Sequence, residues 1–316
     1  MFGNVYTMLH GDPIGHAAPG RPEVLRVTRD GTTFVAKQAE PNHPALIREE
    51  AALRMLGPEF APALIEGSAA DGYLLMEDLG SNEQQLGKLL FAGCDREPLL
   101  RAMSSLAKLH AASLGRESEW RVGEPGSTHR IYQLDAAVSE LPPREEARRL
   151  AAWLGRRDGW YGLCHGDATA ANCFILPERV VWFDFETADF RRTALDAAFP
   201  GVRYIHSVWA RHLPLDWRRA AMAAYRDNFI EPERFEEEFQ AANAAWLAGI
   251  LRFRERVEDE DVRWGQATLR QRIVAACEQF VELDAEQWPA WTQMAADIAA
   301  DCRARWGECE FAPYGA

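Results

Sequence analysis

Residues 163–190, LCHGDATAANCFILPERVVWFDFETADF, hold two short apolar strands, 173–176 and 180–183, and each adjoins polar residues that a plain hairpin does not need. His165-Gly166-Asp167 is followed by Asn172 five positions after the aspartate, and Asp184 stands at the end of the second strand. Two carboxylates and a carboxamide so placed suit phosphoryl transfer from ATP to a hydroxyl. One carboxylate accepts or orients the proton of the attacking hydroxyl, while an amide and a second carboxylate hold Mg²⁺ against the triphosphate oxygens. Asp167 is then the proton-handling group, and Asn172 and Asp184 are the magnesium ligands. Singly, each reads equally well as a turn residue or a cap. Their conjunction carries the reading.

Such groups need a scaffold, and the chain changes character once along its length. EVLRVTR (23–29) and TTFVAKQ (32–38) are rich in β-formers and joined by Asp30-Gly31, a pair that tolerates the positive φ of a tight hairpin. Residues 44–56 place apolar side chains at helical spacing until Gly57-Pro58 stops them. APALIEGSA (61–69) and GYLLMED (72–78) predict two further strands. Hairpin, helix and two strands make a small α+β unit on an antiparallel sheet, not a doubly wound parallel one. Beyond it, Ser81 and Gln84 suggest a capping box that opens a helix towards Leu90. Residues 98–113 and 143–154 read as helices, as does nearly everything from 193 to Trp306, with breaks near Pro214, Pro232, Gly265 and Trp288-Pro289. The economical division is residues 1–79 as a nucleotide-binding lobe and 80–316 as a catalytic and acceptor-binding lobe.

H-G-D-x-x-x-x-N followed by D-F-E resembles the catalytic and metal motifs of the aminoglycoside phosphotransferase family, the small-molecule kinases of the protein-kinase-like fold. Asp196 follows Asp184 by twelve positions, where that family has an aspartate bracing the catalytic loop from a helix. The resemblance implies a bilobal α+β fold, with a small N-terminal antiparallel sheet plus one helix and a large, mainly helical C-terminal lobe. It implies ATP, with GTP as the alternative nucleotide, and Mg²⁺ as cofactors. It makes Lys37, in FVAKQ, the strand lysine that grips the α- and β-phosphates. Glu49, with Leu53 and Leu56 completing E-x-x-x-L-x-x-L, becomes the glutamate that orients it, with Glu50 the second choice. LLMEDLG becomes the hinge: Met76 backs the adenine, and the carbonyl of Glu77 and the N–H of Leu79 pair with its edge. His165 reads as a structural residue holding the loop. His110, closing SSLAKLH like the family's L-A-x-L-H helix, reads as a core histidine. Gly166 replaces the arginine that receives an activation-loop phosphate in protein kinases, and no Ala-Pro-Glu segment follows Asp184, which points to a small-molecule acceptor. Gly11, Gly15 and Gly20 do not match G-x-G-x-x-G, so no glycine-rich phosphate loop is found before the first strand.

Composition narrows the partners. Lys+Arg 35 against Asp+Glu 48 over 316 residues gives a formal net charge of −13, which repels nucleic acids and anionic membranes and suits a cationic or neutral small molecule. Six scattered cysteines (94, 164, 173, 277, 302 and 309) form no C-x-x-C pair, which fits a reduced cytosol rather than a disulfide scaffold or a zinc site. Neither a signal peptide nor a membrane-spanning apolar run is read, so a cytoplasmic protein is expected, with its oligomeric state open. Walker, nucleophile-elbow and H-E-x-x-H motifs do not occur, and His206 and His212 are spaced to face different sides of a helix. The acidic runs at 231–239 and 257–261 read as solvated helix faces. The expected activity is ATP-dependent transfer of the γ-phosphate to a hydroxyl of an aminoglycoside, amino sugar or amino alcohol. The competing reading is a catalytically silent kinase-like protein that binds nucleotide or a partner. The missing glycine loop favours it; the joint presence of Lys37, Asp167, Asn172 and Asp184 opposes it.

Overall fold

Asp30 and Gly31 both adopt positive φ, 51° and 76°, the geometry that matches the turn to two twisted strands. In the computed structural model, which describes residues 10–14, 20–93, 95–122, 137–138, 141–229, 232–283 and 286–312, this hairpin starts an antiparallel sheet. Its strands are β1 (Asp12–Pro13), β2 (Glu23–Arg29), β3 (Thr32–Gln38), β4 (Leu64–Ser68) and β5 (Tyr73–Glu77), in the order β1-β2-β3-β5-β4. β3 lies centrally, with Lys37 opposite Val24 on one side and Leu74 on the other. Between β3 and β4 runs α1 (Pro44–Leu56). His43 caps it by accepting the N–H of Ala45, Pro44 supplies a preset φ for the first turn, and Gly57 ends it at φ 65°. Leu46, Leu53 and Leu56 turn inward, and Glu49 and Arg48 are buried with them.

The remainder is mostly helical. The capping box expected at Ser81 does not form: residues Asn82–Gln84 make a single 3₁₀ turn, and α2 (Leu86–Ala92) starts after Gln85. Gln85 turns its amide to the Ala171 carbonyl instead, so the chain after the sheet is tied to the loop of residues 165–172 rather than to its own helix. α3 (Glu97–Ser113) buries Leu99, Met103, Leu106 and His110 along one stripe, as its period requires. Then come α4 (Arg144–Leu154), β6 (Tyr161–Cys164), β7 (Cys173–Ile175), β8 (Val180–Trp182), β9 (Asp189–Arg192) and the single turn α5 (Ala194–Ala197). β7 pairs with β8, as the two apolar runs predict, and β6 pairs with β9. The sequence does not announce β9, DFRR. Its Arg192 is buried against Glu238 and Asp158, so a charged residue occupies an inward strand position because two carboxylates meet it there.

α6 (Leu215–Arg226), α7 (Phe235–Leu251), the short hairpin β10 (Arg263–Trp264) and β11 (Ala267–Thr268), α8 (Leu269–Glu282) and α9 (Pro289–Trp306) complete the chain. The breaks fall at Pro214, Pro232, Gly265 and Trp288, as expected. The acidic run at the start of α7 is not wholly a solvated face. Glu238 is fully buried, accepting from Trp153 Nε1 and from Arg192 and Arg234. α7 is apolar almost all round and forms the centre of the core, with Trp246, Leu247 and Ile250 enclosed. The architecture is thus an antiparallel N-terminal sheet with one helix and a mainly helical remainder. Among the described residues, no helix is long and apolar enough to cross a membrane.

Candidate active site

β3 carries Lys37 into the interior, where it is 8% exposed. It is not a solvated strand lysine. Its Nζ donates to Glu49 Oε2 of α1 at 3.0 Å and to Asp184 Oδ1 at 2.6 Å. Burial opposes the ammonium charge, but Asp184 and Glu49 more than offset it and hold the lysine above its ordinary value. Burial also works against an ionised Asp184, and there the attraction of Lys37 prevails, so that carboxyl lies below its usual range. Glu49 goes the other way. Burial, reinforced by the charge of Asp184, outweighs the attraction of Lys37 and pushes its carboxyl up to about 7. One ammonium therefore faces two carboxyl groups, of which Asp184 is held ionised and Glu49 is held towards its protonated form.

The sign of the Glu49 shift has a measurable consequence. Folded Glu49 retains its proton at pH values where the unfolded chain has lost it. Its contribution to stability is therefore greatest below the ordinary carboxylate value and is lost as pH rises towards about 7. The thermal midpoint of the nucleotide-free protein is expected to fall between about pH 5 and pH 7.5. In Glu49→Gln that slope should flatten, which a melting series in matched buffers would reveal.

Asp167 sits on the loop after β6. The backbone N–H groups of His165 and Gly166 donate to Asp196 Oδ2 at 2.6 and 3.4 Å, so Asp196, in α5, braces the loop from below. His110 of α3 approaches the same oxygen at 3.5 Å and shares its other ring nitrogen with Tyr225 Oη at 2.7 Å. His165 is completely buried. Its Nδ1 accepts the N–H of Asp167 at 3.3 Å, which places the ring proton on Nε2, 2.8 Å from the Phe183 carbonyl. Burial keeps the ring below its ordinary value against the pull of Asp196 and Asp167. The neutral imidazole thus joins the Asp167 loop to the strand end that carries Asp184.

Gly166 has φ 79°, and a Cβ there would lie 2.2 Å from the Thr187 carbonyl oxygen. The glycine of H-G-D is thereby explained by close approach of two loops. Gly166→Ala should destabilise the protein by about 1–3 kcal/mol, the usual cost of a forced backbone conformation. It should also cut activity in proportion to the loop's displacement; chemical denaturation together with a rate measurement checks both.

Asn172 donates from Nδ2 to the carbonyl and to Oδ2 of Asp167, at 3.0 and 3.2 Å. Its backbone carbonyl accepts the N–H of Phe183 at 3.1 Å, which sets the end of β8 beside it. Asp184 follows with φ 68° and ψ 57°, a left-handed conformation that a non-glycine residue holds at a cost. The strain aims the carboxylate at Lys37. With the amide nitrogen of Asn172 committed to Asp167, its oxygen is the atom left to face a cation, and Asp184 supplies an ionised oxygen. Among the described residues, no three His, Cys, Asp or Glu side chains group to hold a metal by themselves. This donor set suits magnesium, which commonly binds one or two carboxylates and takes its other ligands from phosphate and water.

A cavity of about 290 Å³ opens beside this cluster. Val24, Val35, Met76, Phe174 and Phe183 form its apolar walls, and Lys37, Asp184 and residues 77–80 also line it. The Glu77 side chain does not point in: it accepts from Arg179 and from the Ala63 N–H. Met76, Glu77 and Leu79, the residues assigned to the hinge, all border the cavity. The sequence reading missed Arg26, on β2, which donates to Asp78 at 2.8 Å and to the Gly80 carbonyl. The one available signal was its place two residues after Val24, on the same face of the strand. Of the three glycines considered for a phosphate loop, Gly15 lies outside the described residues, and Gly11 packs against the Arg26 carbonyl.

Residues 20–237 match the Phosphotransferase enzyme family. The chain belongs to that family. No curated protein is a significant match. Among solved structures, the phosphotransferase is similar to a choline/ethanolamine kinase family protein from Mesorhizobium loti at 14% identity, covering 94% of each chain with a TM-score of 0.52. It is similar to the ethanolamine kinase of Plasmodium vivax at 12% identity, over 93% of this chain and 83% of that one, with a TM-score of 0.50. A spectinomycin phosphotransferase, solved with ADP and spectinomycin, aligns at 10% identity over 92% of both chains with a TM-score of 0.48. At such identities the likeness establishes the fold, that of the protein-kinase-like small-molecule kinases. The matched range includes every candidate site residue described above, from Lys37 to Asp196.

Proposed function

We propose that this phosphotransferase moves the γ-phosphate of ATP to a hydroxyl of a small molecule. The observation that carries the reading is the buried Lys37, bonded at once to Glu49 and to Asp184. No structural need of the sheet calls for an ammonium between two carboxylates from separate elements, whereas a triphosphate with its metal does. Adenine would occupy the apolar cavity against Met76, its edge paired with the Glu77 carbonyl and the Leu79 N–H. Lys37, oriented by Glu49, would grip the α- and β-phosphates.

Asn172 Oδ1 and Asp184 would hold Mg²⁺, which when bound neutralises the triphosphate oxygens. Asp167, its carboxylate fixed in rotation by Asn172, would orient the acceptor hydroxyl and take its proton as the oxygen attacks phosphorus. His165 and Asp196 keep that carboxylate in place without touching substrate. Catalysis so arranged is mainly positioning and charge stabilisation. The division at residue 79 would separate the nucleotide-gripping sheet from the helices that take the acceptor.

The acidic balance of the chain favours a cationic acceptor, an aminoglycoside, amino sugar or amino alcohol. Coupled ADP release measured across those three classes, with ATP and with GTP, tests the proposal. Acceptor-dependent ADP formation is the expected result. Saturable Mg·ATP binding with no turnover on any acceptor or on water would instead favour a silent nucleotide-binding protein.

A further inference from the structure

We infer that Arg48 is a positioning residue that locks α1 onto the metal-binding loop, so that the Lys37–Glu49 pair is assembled without any activating modification or partner. It immediately precedes Glu49, yet it is buried, 5% exposed, on a different side of the helix. Its Nη1 donates to the Ala188 carbonyl at 2.9 Å and lies 3.7 Å from Asp189 Oδ1. Ala188 and Asp189 follow Asp184 by a single 3₁₀ turn, Phe185–Thr187, against which α1 also packs. Asp189 is fixed in its turn. It accepts from Trp120 Nε1 at 3.2 Å, and as the first residue of β9 it pairs with Cys164, the residue before His165. One guanidinium thus links the helix bearing Glu49, the loop bearing Asp184 and the strand pair bearing the Asp167 loop.

Two ties hold α1 to the metal loop, and they differ in kind. The Glu49–Lys37–Asp184 tie runs through the groups that meet the nucleotide, so its strength changes when nucleotide charge arrives. The Arg48–Ala188 tie runs through a backbone carbonyl away from the cavity, and nucleotide does not alter it. In kinases that are switched, movement of the corresponding helix makes and breaks the Lys–Glu pair. Here the second tie removes that freedom. The interval between Asp184 and α5 is filled by β9, which is paired over its whole length with β6, and this leaves no separate segment to drive the helix.

The inference rests on the phosphotransferase reading of the site, and binding of two ligands separates the failure of one from the failure of the other. Calorimetric affinities for Mg·ATP and for adenosine are compared in the wild type, Arg48→Met and Arg48→Lys. Arg48→Met should weaken Mg·ATP by about 10–100-fold, the usual effect of losing a group that orients a directly bound ligand. Adenosine, which needs only the sheet and hinge, should bind unchanged, and Arg48→Lys, with one donor retained, should fall between. Wild-type affinity for Mg·ATP in Arg48→Met, or equal losses for both ligands, overturns the inference. If Arg48→Met does not fold, Arg48→Lys decides it by the same comparison, and wild-type behaviour there is the contrary result. A wild type that binds adenosine but not Mg·ATP overturns the reading of the site itself.

Discussion

Asp167→Asn lowers kcat by about 10²–10⁴-fold, the range for a positioned acid–base group, and leaves the affinity for Mg·ATP nearly unchanged. The amide preserves the shape and one accepting oxygen, so Asn172 keeps a partner for its Nδ2, which now bonds both the carbonyl and Oδ2 of Asp167. What disappears is the negative charge that, in the proposed mechanism, orients the acceptor hydroxyl and receives its proton. Lys37 donates to Glu49 and Asp184, and Asp167 does not border the cavity lined by Met76, hence the expected separation of turnover from nucleotide binding. Steady-state rates with the acceptor identified by ADP release, alongside calorimetric titration with Mg·ATP, test both halves. A loss of less than about tenfold in kcat would assign the proton to another group, since the lower bound for such a role is 10².

The candidate site was legible as a set of residue types at fixed spacings, and short local elements bring those residues together. The five-residue step from Asp167 to Asn172 is spanned by a single 3₁₀ turn, Ala170–Asn172, that returns the amide to the aspartate. The step of twelve from Asp184 to Asp196 is spanned by β9 and the start of α5. Strands β2, β3 and β5 and helix α1 were legible for a similar reason: short runs of β-formers and a helical apolar period end at Asp-Gly, Gly-Pro and Asp-Leu-Gly. Other features depend on long-range partners that no local pattern encodes. β9 is polar and becomes a strand only because Asp158 and Glu238 meet Arg192. Ser81 makes no cap, and Gln85 bonds to Ala171, 86 positions away. The bond from Arg48 to the Ala188 carbonyl likewise joins residues 140 positions apart.

Asp184→Gly removes Mg²⁺-dependent ATP binding while leaving the protein at least as stable as the wild type. The two effects have one origin. Asp184 holds φ 68°, which costs a non-glycine residue about 1–2 kcal/mol, and its carboxylate brings a second negative charge to a buried cluster that has one ammonium. Glycine relieves the backbone and leaves Lys37 with Glu49, a neutral pair at 3.0 Å. Without the charge of Asp184, one of the causes that raise the Glu49 carboxyl is gone, so the decline in stability between about pH 5 and pH 7.5 should shrink as well. In the proposed mechanism the metal would lose its ionised ligand, which Asn172 alone, a neutral carboxamide, would not replace. Melting curves across that pH range and Mg·ATP titrations distinguish the outcomes. A fall of the midpoint by several degrees in Asp184→Gly would mean that the aspartate is a structural counter-ion of Lys37. Retained Mg·ATP affinity would place the metal elsewhere. Stability gained as binding is lost would show that the left-handed backbone is held in strain for the sake of the ligand it orients.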